Sequence, residues 1–258
     1  MSESIYINYP ALTLAFLLDI SFIFIYSFIN IKYYKGKIFT ILIGVAGFVG
    51  SVLLEGITIT IISKILGKDS PVIIGLSLLF PGLFEETGRY ICLKYLYKND
   101  KDKLISIGYG IGHGGIEAFI VGLSLLQFVF AKELLIEQGI LKQDMTFLMF
   151  FMGVFERFFC VFVQISFSVL VFKAVKENNI NFYILAIFLH DAIDFFAFLY
   201  QKQMLSNIYV IELIIGILSL IFARYAYKLY INIPNDVDKK KEESKEHIPL
   251  TDKKEEEK

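Results

Sequence analysis

Signatures of disulfide chemistry, secretion and nucleic-acid binding are all missing from this chain. Only two cysteines occur, Cys92 and Cys160, both inside apolar runs and without paired spacing. They read as reduced, buried small hydrophobes, which excludes a disulfide framework and a cysteine metal site. Met1-Ser2-Glu3-Ser4 has no basic n-region, so the first apolar block is expected to be retained rather than cleaved as a signal peptide. The net charge of −1 is segregated between loops and tail and leaves no surface for nucleic acid. Nor does the sequence show an internal repeat.

Apolar residues fill the space left by these absences. They make up 56% of the 258 residues, fall in long blocks and give a mean hydropathy of +0.62. Such a composition predicts an all-α, polytopic membrane helix bundle of about seven transmembrane helices. The spans are placed near 9–31, 38–66, 71–97, 104–131, 145–172, 182–200 and 207–231. Lysines 32, 35 and 37, then 98, 101 and 103, then 173 and 176, mark alternate loops, with Arg224 and Lys228 before the tail. By the positive-inside rule the N-terminus lies outside and the C-terminus in the cytoplasm. Residues 1–233 are read as one membrane domain. The stretch 235–258, with nine acidic and seven basic residues, is read as a disordered charged tail. His247 within it is read as solvated.

Charge inside the apolar blocks is scarce, and therefore informative, because an ionisable group at bilayer depth costs several kcal/mol, order of magnitude. The third span holds Glu85-Glu86-Thr87-Gly88-Arg89, preceded one turn earlier by Pro81-Gly82. On a helix Arg89 can reach Glu85 at i,i+4 or Glu86 at i,i+3, and holds only one of them well. The expectation is that Arg89 takes Glu85 and leaves Glu86, narrowly, as the better-poised base. Pro81-Gly82 is expected to kink the helix and free backbone carbonyls. The fourth span has Gly112-His113-Gly114-Gly115-Ile116-Glu117, with His113 and Glu117 on one face, and the sixth has His190-Asp191-Ala192-Ile193-Asp194. Asp191 is expected to point away from the other two, toward the N-terminal spans or solvent. Counted from the cytoplasmic ends, Asp19, Glu85, Glu86, His113 and His190 share a layer roughly 12–18 Å deep. Glu55, Glu117, Glu156 and Asp194 lie deeper, as the floor of a polar chamber. Glu156-Arg157 in the fifth span is read as a structural ion pair.

Carboxylates and two histidines facing one chamber are the parts of a hydrolytic site, a base for water and imidazoles to hold water, metal or an oxyanion. Neither His-Glu-x-x-His nor Gly-x-Ser-x-Gly occurs, and the paired Gly-Asp helices of aspartyl intramembrane proteases are missing. A glutamate-activated or metal-assisted hydrolase survives this elimination. The set Glu85-Glu86-x-x-Arg89, Tyr109-x-x-x-His113 and His190-x-x-x-Asp194 resembles the three-motif pattern of the CAAX-protease and bacteriocin-processing superfamily. It most resembles the YhfC-like intramembrane metalloproteases, which share the Gly-His-Gly-Gly-x-Glu stretch. Better-known members place three residues between the glutamates and the arginine, where only Thr87 and Gly88 stand here. The resemblance implies an intramembrane endopeptidase acting on membrane-embedded or lipidated substrates in a bacterial cell membrane. It assigns catalysis to Glu85, Glu86, Arg89, His113, His190 and Asp194. His113 and His190 with Asp194, or alternatively Glu117, could hold zinc or another divalent metal; a metal-free glutamate mechanism is also open. The competing readings are a non-catalytic membrane scaffold or chaperone on the same fold, and a proton-coupled transporter.

Overall fold

The computed structural model of the protein describes residues 5–68, 70–97, 99–100, 102–201, 204–205 and 207–233. The charged tail 235–258 and lysines 98 and 101 lie outside the described residues. The described chain is helical, with one isolated bridge between Ile7 and Met145. In order come α1 (Tyr9–Tyr34), α2 (Ile38–Leu66), α3 (Pro71–Leu96), α4 (Leu104–Ser124), α5 (Gln127–Phe130), α6 (Lys132–Glu137), α7 (Phe147–Lys176), α8 (Ile180–Gln201) and α9 (Ile208–Ile231). The seven long helices follow the seven predicted spans closely. The fourth span is shorter than expected: α4 stops at Ser124, and the short α5 and α6 occupy the connection to α7. Six of the long helices, α4 counted with α5, are long and apolar enough to cross a membrane. The other, α3, has comparable length but carries the charged motif, which lowers its hydropathy.

Helix ends follow from local chemistry. Asn8, Ser70, Thr146 and Asn207 cap α1, α3, α7 and α9, each side chain accepting from a first-turn N–H. At the opposite ends of these four helices Lys32, Lys94, Lys173, Lys176 and Lys228 sit where the carbonyl dipole favours cations. Large apolar residues such as Phe24, Leu53, Leu54 and Ile65 stay exposed, as an outer surface solvated by lipid requires.

At the centre of the bundle α4 packs against α1, α2 and α7. Its glycines make this possible, because between them they face all three neighbours. A Cβ on Gly112 would collide with the Ile41 carbonyl of α2, and one on Gly110 with the Ile165 backbone of α7. On the α1 side, a Cβ at Gly115 would come within 2.8 Å of Ile23. Small residues of this kind let membrane helices approach closely. Gly112→Leu is therefore expected to force α2 off α4, at a cost of about 1–3 kcal/mol or more. Thermal melting in detergent checks this; an unchanged melting temperature would show that the contact is dispensable.

Pro81 does not end α3, which runs on through Leu96. The Gly82 N–H, next to Pro81, also donates to Asp191 Oδ1 of α8 at 3.2 Å. Asp191 thus faces α3 rather than the N-terminal spans or solvent, correcting the sequence expectation.

Candidate functional site

The charged motif of α3 meets α4, α7 and α8 in the bundle interior, where Glu86, Arg89 and His113 are fully buried. Arg89 decides the arrangement. Its Nη2 donates to Glu86 Oε1 at 3.1 Å, and its Nε lies 3.0 Å from Glu86 Oε2 as an ionic contact. From α7 it meets the Gln164 carbonyl at 2.7 Å, Gln164 Oε1 at 2.5 Å and the Ser168 hydroxyl. The arginine therefore holds Glu86 and leaves Glu85 free, the reverse of the pairing expected from sequence. Both spacings are open on a helix. The acceptors on α7 select the i,i+3 geometry, because they draw the guanidinium to the Glu86 side.

Glu86 has a second task. Its Oε1 accepts from His190 Nδ1 at 2.9 Å, so the imidazole that stacks on Phe167 at 5.2 Å is oriented by a carboxylate that an arginine fixes. This bond leaves His190 Nε2 facing Glu85 Oε2 at 3.7 Å and Asp194 Oδ2 at 3.6 Å. Glu85 Oε2 also lies 2.8 Å from His113 Nε2, and His113 is wedged edge-on to Phe48 at 4.9 Å. His113 Nδ1 is buried without a partner, so its exchangeable proton belongs on Nε2, toward Glu85. A pocket of about 50 Å³ opens beside His190 and Asp194, room for a few waters.

Of the predicted site residues, Glu85, Glu86, Arg89, His113, His190 and Asp194 are brought together. The Glu117 oxygens accept from Arg157 Nη1 at 2.8 Å and Gln164 Nε2 at 3.1 Å. Glu156 pairs with Arg157 as expected. Asp19 leaves the predicted layer: its Cβ lies beside Gly122, nine residues further along α4 than His113. Gln164 and Ser168 escaped the sequence reading because a lone Gln or Ser in an apolar helix looks like packing. Glu212 of α9 also escaped it, although the rule that flagged the other intramembrane carboxylates would have found it.

Whether these residues suit a divalent metal can be judged from the donors. Two imidazole Nε2 atoms and the Glu85 carboxylate, which has no arginine or lysine partner, face one another, with Asp194 alongside. Glu86 behind His190 supplies the outer carboxylate that metal-bound histidines commonly use. The donor set fits zinc in kind. Among the described residues, however, no three such groups already surround a single point.

No solved structure matches the chain. An "Uncharacterized membrane protein YhfC" of Bacillus subtilis (strain 168) is 29% identical over 160 residues, covering 55% of this chain and 62% of that protein. The chain thus spans about 62% of the length of this curated relative. The sequence pattern of a family described as YhfC intramembrane metalloprotease matches residues 15–215, a range containing every residue of the buried cluster. The chain belongs to the YhfC intramembrane metalloprotease family.

Proposed function

We propose that the protein hydrolyses peptide bonds of membrane-embedded or lipidated substrates, with Glu85 as the base. One observation carries this reading: a carboxylate without an arginine partner stands between two imidazoles, one of which, His190, lines a pocket that can hold water. Glu85 takes the proton of a water near His190 Nε2 and later delivers it to the leaving amine. Glu86 keeps the His190 Nδ1 proton in place and so fixes which nitrogen faces the substrate. His113 holds Glu85 in position through Nε2 and stabilises its charge. Arg89 acts through Glu86 as a positioning residue. His190 and Asp194, with His113 once its proton moves from Nε2 to Nδ1, are the residues that would hold a divalent ion and leave Glu85 as the base; such an ion would supply Lewis acidity toward a carbonyl. We further propose that the lysine-bearing ends of α1, α3, α7 and α9 face the cytoplasm of a bacterial cell.

Elemental analysis of the purified protein tests the ligand assignment. Zinc or another divalent metal near one equivalent is expected in wild type and lost in His113→Ala and His190→Ala, with Glu117→Gln retaining it. Metal content unchanged in both histidine variants would contradict it. Cleavage of a membrane-peptide library by the purified protein in liposomes tests hydrolysis itself. A folded wild type that cleaves no peptide, with or without added metal, would favour the scaffold reading.

A further inference from the structure

Gln164 is a polar side chain in a largely apolar stretch of α7, and only 3% of it is exposed. Such a group is costly at bilayer depth unless both ends of its amide are hydrogen-bonded. Both are, and to opposite charges. Arg89 of α3 donates to Gln164 Oε1, while Gln164 Nε2 donates to Glu117 Oε2 of α4 at 3.1 Å. Turning the amide over would set N–H against guanidinium and oxygen against carboxylate, so the chemistry admits one orientation. The Gln164 backbone carbonyl accepts from the same arginine at 2.7 Å, which holds the residue to α3 through two oxygens.

Helix α4 is shaped around this residue. A Cβ added to Gly114 would lie 2.9 Å from Gln164 Cβ and 3.1 Å from its Cγ, and one at Gly110 would lie 3.0 Å from its carbonyl oxygen. Gly114 directly follows His113, so the turn that presents the histidine also makes room for Gln164. The amide joins two sets of contacts. On one side run His190, Glu86 and Arg89; on the other, Glu117 and Arg157. His190 of α8, Glu117 of α4 and Arg157 and Gln164 of α7 all line the pocket. Gln164 is therefore the link through which the two ion pairs, on different helices around one pocket, hold each other in place.

We propose that Gln164 is a positioning residue for hydrolysis, acting through Arg89 and Glu86 on His190. Its amide ties the carboxylate that orients this imidazole to the Glu117–Arg157 pair, so that His190 Nε2 keeps a fixed place relative to the pocket walls. The role rests on the hydrolytic reading above. A neutral amide suits it, because it meets a cation at one end and an anion at the other without adding charge to the bundle interior. Its loss is felt in the geometry of the chemical step, where a misplacement of about 1 Å lowers the rate on the order of 10²-fold.

Peptide-cleavage kinetics in liposomes and thermal melting in detergent, both on the full-length protein, test this with three variants. Gln164→Met keeps the length of the side chain and removes both of its hydrogen bonds. Gln164→Glu keeps an acceptor for Arg89 but sets a second carboxylate against Glu117. Adding Glu117→Gln to Gln164→Glu restores the pattern with its ends exchanged: the amide at 117 gives its oxygen to Arg157 and its N–H to the carboxylate at 164. Each single change at 164 is expected to lower kcat by about 10–10²-fold with KM within about twofold of wild type. The double variant is expected to regain most of the loss, in kcat and in melting temperature, relative to Gln164→Glu. Full kcat in folded Gln164→Met, a rise in KM at unchanged kcat, or a double variant no better than Gln164→Glu overturns the proposal and leaves hydrolysis standing. A wild type that cleaves no peptide strikes the hydrolytic reading instead, and the melting cycle then decides the link alone: recovery in the double variant keeps it, and strict additivity overturns it.

Discussion

Glu85→Gln is expected to lower the rate of peptide hydrolysis by about 10²–10⁴-fold while leaving the melting temperature within a few degrees of wild type. The amide keeps the size of the carboxylate and an oxygen to accept from His113 Nε2, 2.8 Å away in wild type, but it cannot take a proton from water. Glu86→Gln should behave differently. Glu86 faces Arg89 through two nitrogens and also orients His190, so losing its charge lowers both stability and activity. The two neighbouring glutamates are thus separable by their melting temperatures. Equal activity loss with equal destabilisation in both variants would remove the distinction between base and positioning residue.

Arg89→Met should be the most destabilising single change in the site. The guanidinium is fully buried and joins α3 to α7 through Gln164 and Ser168. Removing it leaves Glu86 as an uncompensated buried charge, which costs about 3–5 kcal/mol. For a chain of this size that corresponds to a fall in melting temperature of about 10 °C or more. The double variant Arg89→Met, Glu86→Gln should recover part of the loss, since it removes the stranded charge as well. A double-mutant cycle showing strict additivity would contradict the pairing of Arg89 with Glu86.

Much of this structure was legible in the sequence, and the parts that were not share a cause. Long apolar blocks with capping residues and lysines at their ends locate the seven long helices, because a bilayer imposes both length and end chemistry. The rarity of intramembrane charge picks out Glu85, Glu86, Arg89, His113, His190 and Asp194 before any coordinates are known. Periodicity stops short of partner choice. Arg89 can reach either glutamate, and the acceptors that choose for it, Gln164 and Ser168, stand 75 and 79 residues away. Asp191 points away from His190 on the helix wheel, yet its partner is the Gly82 N–H, beside Pro81 on another helix. Depth along a span likewise put Asp19 with the glutamate pair, whereas its Cβ lies beside Gly122, nine residues along α4 from His113. Counting along one helix gives a residue's height within that span; the packing of α4 and its glycines fixes which neighbours it meets.

Hydrolysis in water enriched in oxygen-18 tests the central claim most directly. The purified protein, reconstituted in liposomes with a membrane-spanning peptide library, is incubated in labelled water and the products are read by mass spectrometry. The account predicts new C-termini carrying one heavy oxygen from solvent, formed by wild type and nearly absent with folded Glu85→Gln. Products that form at the wild-type rate with Glu85→Gln, or a folded wild type that yields no labelled C-terminus from any peptide, would contradict it.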